Sequence, residues 1–231
     1  MTIYGAMLSA AIRLVGQRPS VFFGSSNVFE IEICDLVNEV ARDILASHDW
    51  QGLTKIKTLT ANGSTTFQRP SDYDRMALVA DMQRPDFWMW GYYHASDINE
   101  FMEIQESGFQ GVPGAWTMIG NEFSFFPAPS GDAKFAYISK NYAIDAATLE
   151  SKAEFDADTD QFVLPERLLT LGLVWRWREQ KKLDFSGDQE AFMKAMSEES
   201  AKDKGSRVIR KGSRFRVPGS YPAWGGFLGP V

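Results

Sequence analysis

The sequence predicts an α+β protein: a helical bundle body with an inserted β-rich antiparallel part and an extended C-terminal arm. Apolar residues recur at helical spacing on both sides of the middle, in VFEIEICDLVNEVARDILASHDW (28–50) and LPERLLTLGLVWRWREQKKLDF (164–185). Between them the apolar period drops to two and turn residues multiply, as in KIKTLTANGSTTFQ (55–68). After Asp203 no acid occurs, while Lys204, Arg207, Arg210, Lys211, Arg214 and Arg216 place six positive charges among glycines, prolines and aromatics. These observations divide the chain into a helical body at 1–52 and 160–205, a β-rich part at 53–159 and an extended basic and aromatic arm at 206–231.

A short first helix is expected over 6–15, where Leu8, Ile12 and Val15 share a face, and Pro19 breaks the pattern after it. The second helix carries Ile33, Leu36, Val37, Val40, Ile44 and Leu45 on one stripe, with its charged residues mostly off it, and Ser26 or Asn27 serves as N-cap. Alternation on both sides of ANGS (61–64) predicts a β-hairpin that Pro70 ends. FWMWGYYH (87–94) and a glycine-rich loop around Gly108, Gly111, Pro113 and Gly114 come next. WTMIGNEFSFFPAPSGDAKFAYISKNY (116–142) then predicts a three-strand antiparallel meander, turning at Gly120-Asn121 and at PAPSGD.

Helix returns at Pro165, which suits a first helical position; Glu166 complements the start of this helix, and Lys181 and Lys182 its end. From Leu168 to Trp177 it is apolar almost all round and must be covered on more than one side. Leu168, Leu171, Trp175 and Trp177 are therefore expected in the core or at a subunit interface. A more solvated last helix packs Phe192 and Met196 against it, and Gly205 ends that helix.

A composition of 44% hydrophobic and 13% aromatic residues is ample for a real core. Cys34, the single cysteine, excludes an intrachain disulfide and is read as a small core residue. No run approaches the roughly 18 apolar residues of a membrane span, so a soluble protein made in the cytoplasm, with no membrane partner, is expected. Chemistry is sparse. His48 and His94 lie far apart with no carboxylate or cysteine at metal-ligand spacing, and no phosphate-loop, dinucleotide or nucleophile-elbow motif occurs. FDADTD (155–160) lacks the glycine and distal glutamate of a calcium loop and reads as a polar turn. Trp175 and Trp177 alternate with Arg176 and Arg178, but alternate residues of a helix point to different faces, so packing is favoured over base stacking. The expectation is a non-enzyme with no catalytic, metal or cofactor-binding site.

Several stretches together resemble a known family. DWQGLTKIKTLTANGSTTFQRPSDYDR (49–75), GNEFSFFPAPSGDAKFAYISKNY (120–142), the Pro165 helix (164–185) and the YPAWGGFLG ending are similar, in this order, to segments of the head-to-tail adaptor proteins of short-tailed bacteriophages, also called tail tubular protein A or tail accessory factor. Residues 84–115 depart from that pattern. The resemblance implies a structural virion protein at the head-tail junction. It implies a ring of twelve copies beneath the portal protein, handing the channel to the tail tube or nozzle protein, with DNA passing through and no sequence-specific binding.

The charge distribution gives the arm a partner. The formal net charge is −6, and a body of −12 remains once the six arm cations are taken away. Arg207, Arg210, Lys211, Arg214 and Arg216 are expected to meet acidic groups on the portal or a neighbouring subunit, while Tyr221, Trp224 and Phe227 fill pockets there. The alternatives are a nucleic-acid-binding protein using the same cations on phosphates, a carboxylate-based hydrolase, and a terminus with no role. Four large apolar residues among the last eleven, Tyr221, Trp224, Phe227 and Leu228, speak against the last.

Overall fold

The helical body is written by burial, but its first helix buries Ile3, Ala6, Met7, Ala10 and Ala11 rather than the expected face of Leu8, Ile12 and Val15, of which Ile12 and Val15 are 40% and 39% exposed. In the structure, a computed structural model that describes residues 2–77, 81–84, 91–108 and 114–203, α1 spans Ile3–Val15 and ends on Gly16, whose φ of 70° is the left-handed cap glycine favours. Helix α2 (Val28–Ser47) starts at Asn27, whose Oδ1 accepts the Phe29 N–H at 3.1 Å. All six stripe residues from Ile33 to Leu45 are buried. A 3-10 turn (Gln51–Leu53) leads into β1 (Thr54–Leu59), β2 (Thr66–Gln68), β3 (Tyr73–Met76) and β4 (Tyr93–His94). Then come α3 (Ile98–Ser107), β5 (Ala115–Ile119), β6 (Glu122–Phe126), β7 (Ala133–Ser139), β8 (Ala143–Ile144), β9 (Ser151–Lys152) and β10 (Gln161–Phe162). The chain closes with α4 (Glu166–Gln180) and α5 (Ser186–Asp203). Pro165 stands one residue before α4, as its N-cap.

Two cores result. α1, α2, α4 and α5 share one, and Ile138, Tyr142, Ala143 and Phe155 join it from the β-rich part. The other lies between two sheets, ordered β1-β7-β3 and β2-β6-β5-β4. Phe123 of one sheet meets Phe135 and Tyr73 of the other at centroid separations of 4.9 and 5.8 Å, edge to face, so aromatic rings fill the sandwich. A small third sheet, β10-β8-β9, lies beside the helical core.

The strand pairing differs from expectation in two places. The segments flanking ANGS are strands but not a hairpin: β1 pairs with β7 over six residue pairs, and β2 pairs with β6. Only Leu59 of β1 is buried, so β1 has little apolar pattern of its own to fix a partner, and the long strand β7 supplies one. The three-strand meander is also corrected. β5 and β6 pair around Gly120-Asn121, but β6 and β7 belong to different sheets. Pro127 and Pro129, which lack backbone donors, carry the chain from one sheet to the other.

Helix α4 is the centre of the body, packed against α1, α2 and α5. Close approach is possible because residue 172 is glycine: a Cβ there would collide with Val40 Cγ1 and lie 3.2 Å from Phe192 Cε2. Val40 is held in one rotamer by its helix and cannot swing away. Gly172→Ala is therefore expected to lower stability. Overpacking costs about 1–3 kcal/mol, against a helix-propensity gain of about 1 kcal/mol. Denaturant unfolding of Gly172→Ala alone and in a Val40→Ala background checks this, and the cost should shrink in the double variant.

Asp72, just ahead of β3, ties the first sheet together. Its carboxylate accepts from Lys55 Nζ at 2.7 Å, Tyr137 Oη at 2.9 Å and Ser139 Oγ at 2.9 Å, joining β1 to β7. Burial works to raise its pKa, but the hydrogen bonds from Lys55, Ser139 and Tyr137 outweigh it and hold the carboxyl below its usual range. A carboxyl depressed in the folded state stabilises fully above its unfolded pKa, about 4. That contribution is lost as pH falls through the lower folded value. Unfolding midpoints across this acid window should fall for the natural protein and fall less steeply for Asp72→Asn.

Candidate interaction surfaces

The residues expected in the core or at a subunit interface all lie on α4. Leu168 is fully buried and Trp175 is 9% exposed; Leu171 and Trp177 are half-buried at the margin of the helical core. Trp175 packs on Phe192 and Phe185, at centroid separations of 5.9 and 6.4 Å, with the Arg176 guanidinium 4.5 Å above its ring. Trp177 turns toward α2, meeting Phe29 edge to face at 5.7 Å and donating its indole N–H to Glu32. The all-round apolar character of α4 is thus met by three helices of the same subunit, and the alternating arginines go to acids: Arg176 to Asp43 at 2.7 Å, Arg178 to Asp188.

The acidic loop 155–160 is a latch. Asp158 accepts the Phe22 and Phe23 N–H groups at 2.9 and 3.1 Å. Asp160, 1% exposed, accepts the Asp156 and Ala157 N–H groups, both at 3.0 Å, and pairs with Lys152 at 2.8 Å. The Asp160 carbonyl receives the Ile3 N–H at 2.7 Å and so anchors the start of α1. These carboxylates bind backbone and cation within the fold. Burial pushes the Cys34 thiol up to about 11, with Asp158 and Glu30 adding to the effect, so thiolate is scarce at neutral pH. His94 lies over Trp116 at 4.4 Å, and His48 sits 3.6 Å from Asp203. Among the described residues no group of three or more His, Cys, Asp or Glu could hold a metal, and no helix is long and apolar enough to cross a membrane. An open groove of about 920 Å³ lies between the end of α2 and the outer face of the β1-β7-β3 sheet. Ser47, Asp49, Ile56, Arg75, Asp81 and Ala136 are among its lining residues, and Arg75 holds Asp49 across it at 3.1 Å.

Two further places on the subunit surface stand out. Asp203, the last described residue of α5, accepts the Gln51 N–H on its Oδ2 at 2.9 Å, which ties α5 to the 3-10 turn ahead of β1. The expected arm contacts Arg207, Arg210, Lys211, Arg214, Arg216, Tyr221, Trp224 and Phe227, and the end of the last helix at Gly205, lie outside the described residues. The second surface is α3, for which the sequence reading had no helix. Its signals are local ones: Asp97 caps the Glu100 N–H at 2.9 Å, Glu100 returns to the Ser96 N–H at 2.6 Å, and Gly108 closes the end with φ of 63°.

A family model for the SU10 adaptor protein matches residues 2–219. The chain belongs to the SU10 adaptor protein family. That family is one of phage head-to-tail adaptors, so this adaptor is a structural component of the virion. The bounds of the match enclose residues 84–115, where the resemblance departs, and with them α3. It also includes the arm from Arg207 to Arg216 and stops before Tyr221. Comparison with individually curated proteins returns no match.

Proposed function

We propose that this SU10 adaptor closes a twelvefold ring beneath the portal protein at the head-tail junction and passes the DNA channel on to the tail tube or nozzle protein. DNA passes through without sequence-specific binding, and the subunit, made in the host cytoplasm, performs no catalysis. Family membership across residues 2–219 carries this reading. The commitment of the loop 155–160 acids to backbone N–H groups and to Lys152 supports a structural rather than hydrolytic use of them. In the assembly the arm cations Arg207, Arg210, Lys211, Arg214 and Arg216 guide the subunit to acidic groups on the portal or an adjacent copy, and Tyr221, Trp224 and Phe227 hold it there.

The test is reconstitution. Portal-bearing heads assembled without this protein, incubated with the purified full-length chain, should take it up in twelve copies and then accept tails. Heads that bind none would contradict the reading. Tight binding of the protein to free duplex DNA, weakening steeply with salt, would favour the nucleic-acid alternative.

A further inference from the structure

Helix α3 is attached on one side only. Phe101 and Ile104 pack on Ala95, Ala115 and Phe126, a small cluster separate from both larger cores. On the outer side Ile98 and Met102, one turn apart, are 51% and 49% exposed. Glu100 is committed within the fold, accepting from the Tyr93 hydroxyl at 2.6 Å and from Ser96 N–H. Glu103 and Glu106 are exposed, and no ion pair joins either to a described residue. The surrounding sequence is of one sign: from Pro85 to Ala133 there are seven acids and no lysine or arginine. An apolar stripe rimmed by carboxylates that pair with no described residue fits a segment in which apolar side chains alternate with cations.

The chain contains such a segment. Residues 204–231 hold six cations and no acid, and Val208, Ile209, Phe215 and Val217 are interleaved with Arg207, Arg210, Arg214 and Arg216. It follows directly on Asp203, which lies against Gln51. Its 28 residues could extend over about 90 Å, well beyond the subunit that carries them. We propose that residues 207–217 of one subunit dock on the outer face of α3 of an adjacent copy, with Phe215 and Val217 against Ile98 and Met102 and the arginines beside Glu103 and Glu106. This rests on the ring reading above, because in a closed ring every arm finds the same face on its neighbour and one contact repeats around the assembly. It leaves Tyr221, Trp224 and Phe227 for the portal.

The test places the photoreactive residue benzoylphenylalanine at position 102 of the full-length chain. Particles are assembled from an equal mixture of isotopically heavy and light protein, cross-linked and mapped by mass spectrometry. Cross-links should run from position 102 to residues 204–231, and about half should join a heavy chain to a light one, as neighbours in a randomly mixed ring must. Cross-links confined to single chains, or leading elsewhere, or absent, overturn the proposal. A second arm uses exposed positions that should leave folding intact. Glu103→Arg with Glu106→Arg should slow self-association about tenfold, and Arg214→Glu with Arg216→Glu should restore it. An unchanged rate, or a lack of rescue, also overturns the proposal. Imaging of the same particles separates the two readings: a ring without these cross-links removes only the arm assignment, whereas the absence of a ring removes the assembly reading itself.

Discussion

Trp175→Ala should destabilise the subunit by about 3–5 kcal/mol, the usual cost of truncating a packed tryptophan. The residue is 9% exposed, sits between Phe185 and Phe192, and carries the Arg176 guanidinium over its ring, so the substitution empties the place where α4 and α5 meet. Its indole N–H makes no hydrogen bond, and the loss is therefore one of packing. Arg176 would keep Asp43 and Glu179 but lose its aromatic support. Because Trp175 is covered inside its own subunit, the effect should appear in denaturant unfolding of the isolated protein, before any partner is added. Trp177→Ala should cost less, since that ring is half-buried. A Trp175→Ala protein with the natural unfolding midpoint would contradict the packing described for α4.

The second large effect concerns attachment. Trp224→Ala should weaken binding to portal-bearing heads by about 2 kcal/mol, roughly thirtyfold, as expected for a buried aromatic anchor. The change should lie mainly in the dissociation rate. Reversing charge at Arg214 and Arg216 should instead slow association and make it less sensitive to salt. Removing residues 207–231 should abolish attachment while the circular dichroism of the helical body persists. These rates can be followed by light scattering or surface binding with immobilised heads. A truncated protein that joins heads with unchanged affinity would leave the arm without its assigned role.

How much of this was legible beforehand depended on what each element leaves in the sequence. α2 buries one stripe and exposes the rest, so Ile33 to Leu45 spelled out its face and Asn27 its start. α4 showed its central place through the lack of a polar side between Leu168 and Trp177. Strands showed their existence but not their partners: period two marks β6 and β7, yet nothing local says that β7 leaves β6 to pair with β1. Helix α3 was missed because Phe101 is its only fully buried residue, too little for a periodic stripe, although the caps at Asp97, Glu100 and Gly108 were present to be read. The latch at Asp158 and Asp160 read as a bare polar turn, since its partners, Phe22, Phe23 and Ile3, are more than 130 residues away. The arm remains an expectation from composition, and the family was legible only through several ordered stretches that no single motif could replace.

The most direct measurement of the central claim is electron microscopy of the full-length protein bound to its portal. The account predicts a closed ring of twelve subunits, coaxial with the portal channel and leaving that channel open, with the β-rich part and the helical body repeated around it. Single subunits attached without closure, a ring that blocks the channel, or binding only along DNA would contradict it.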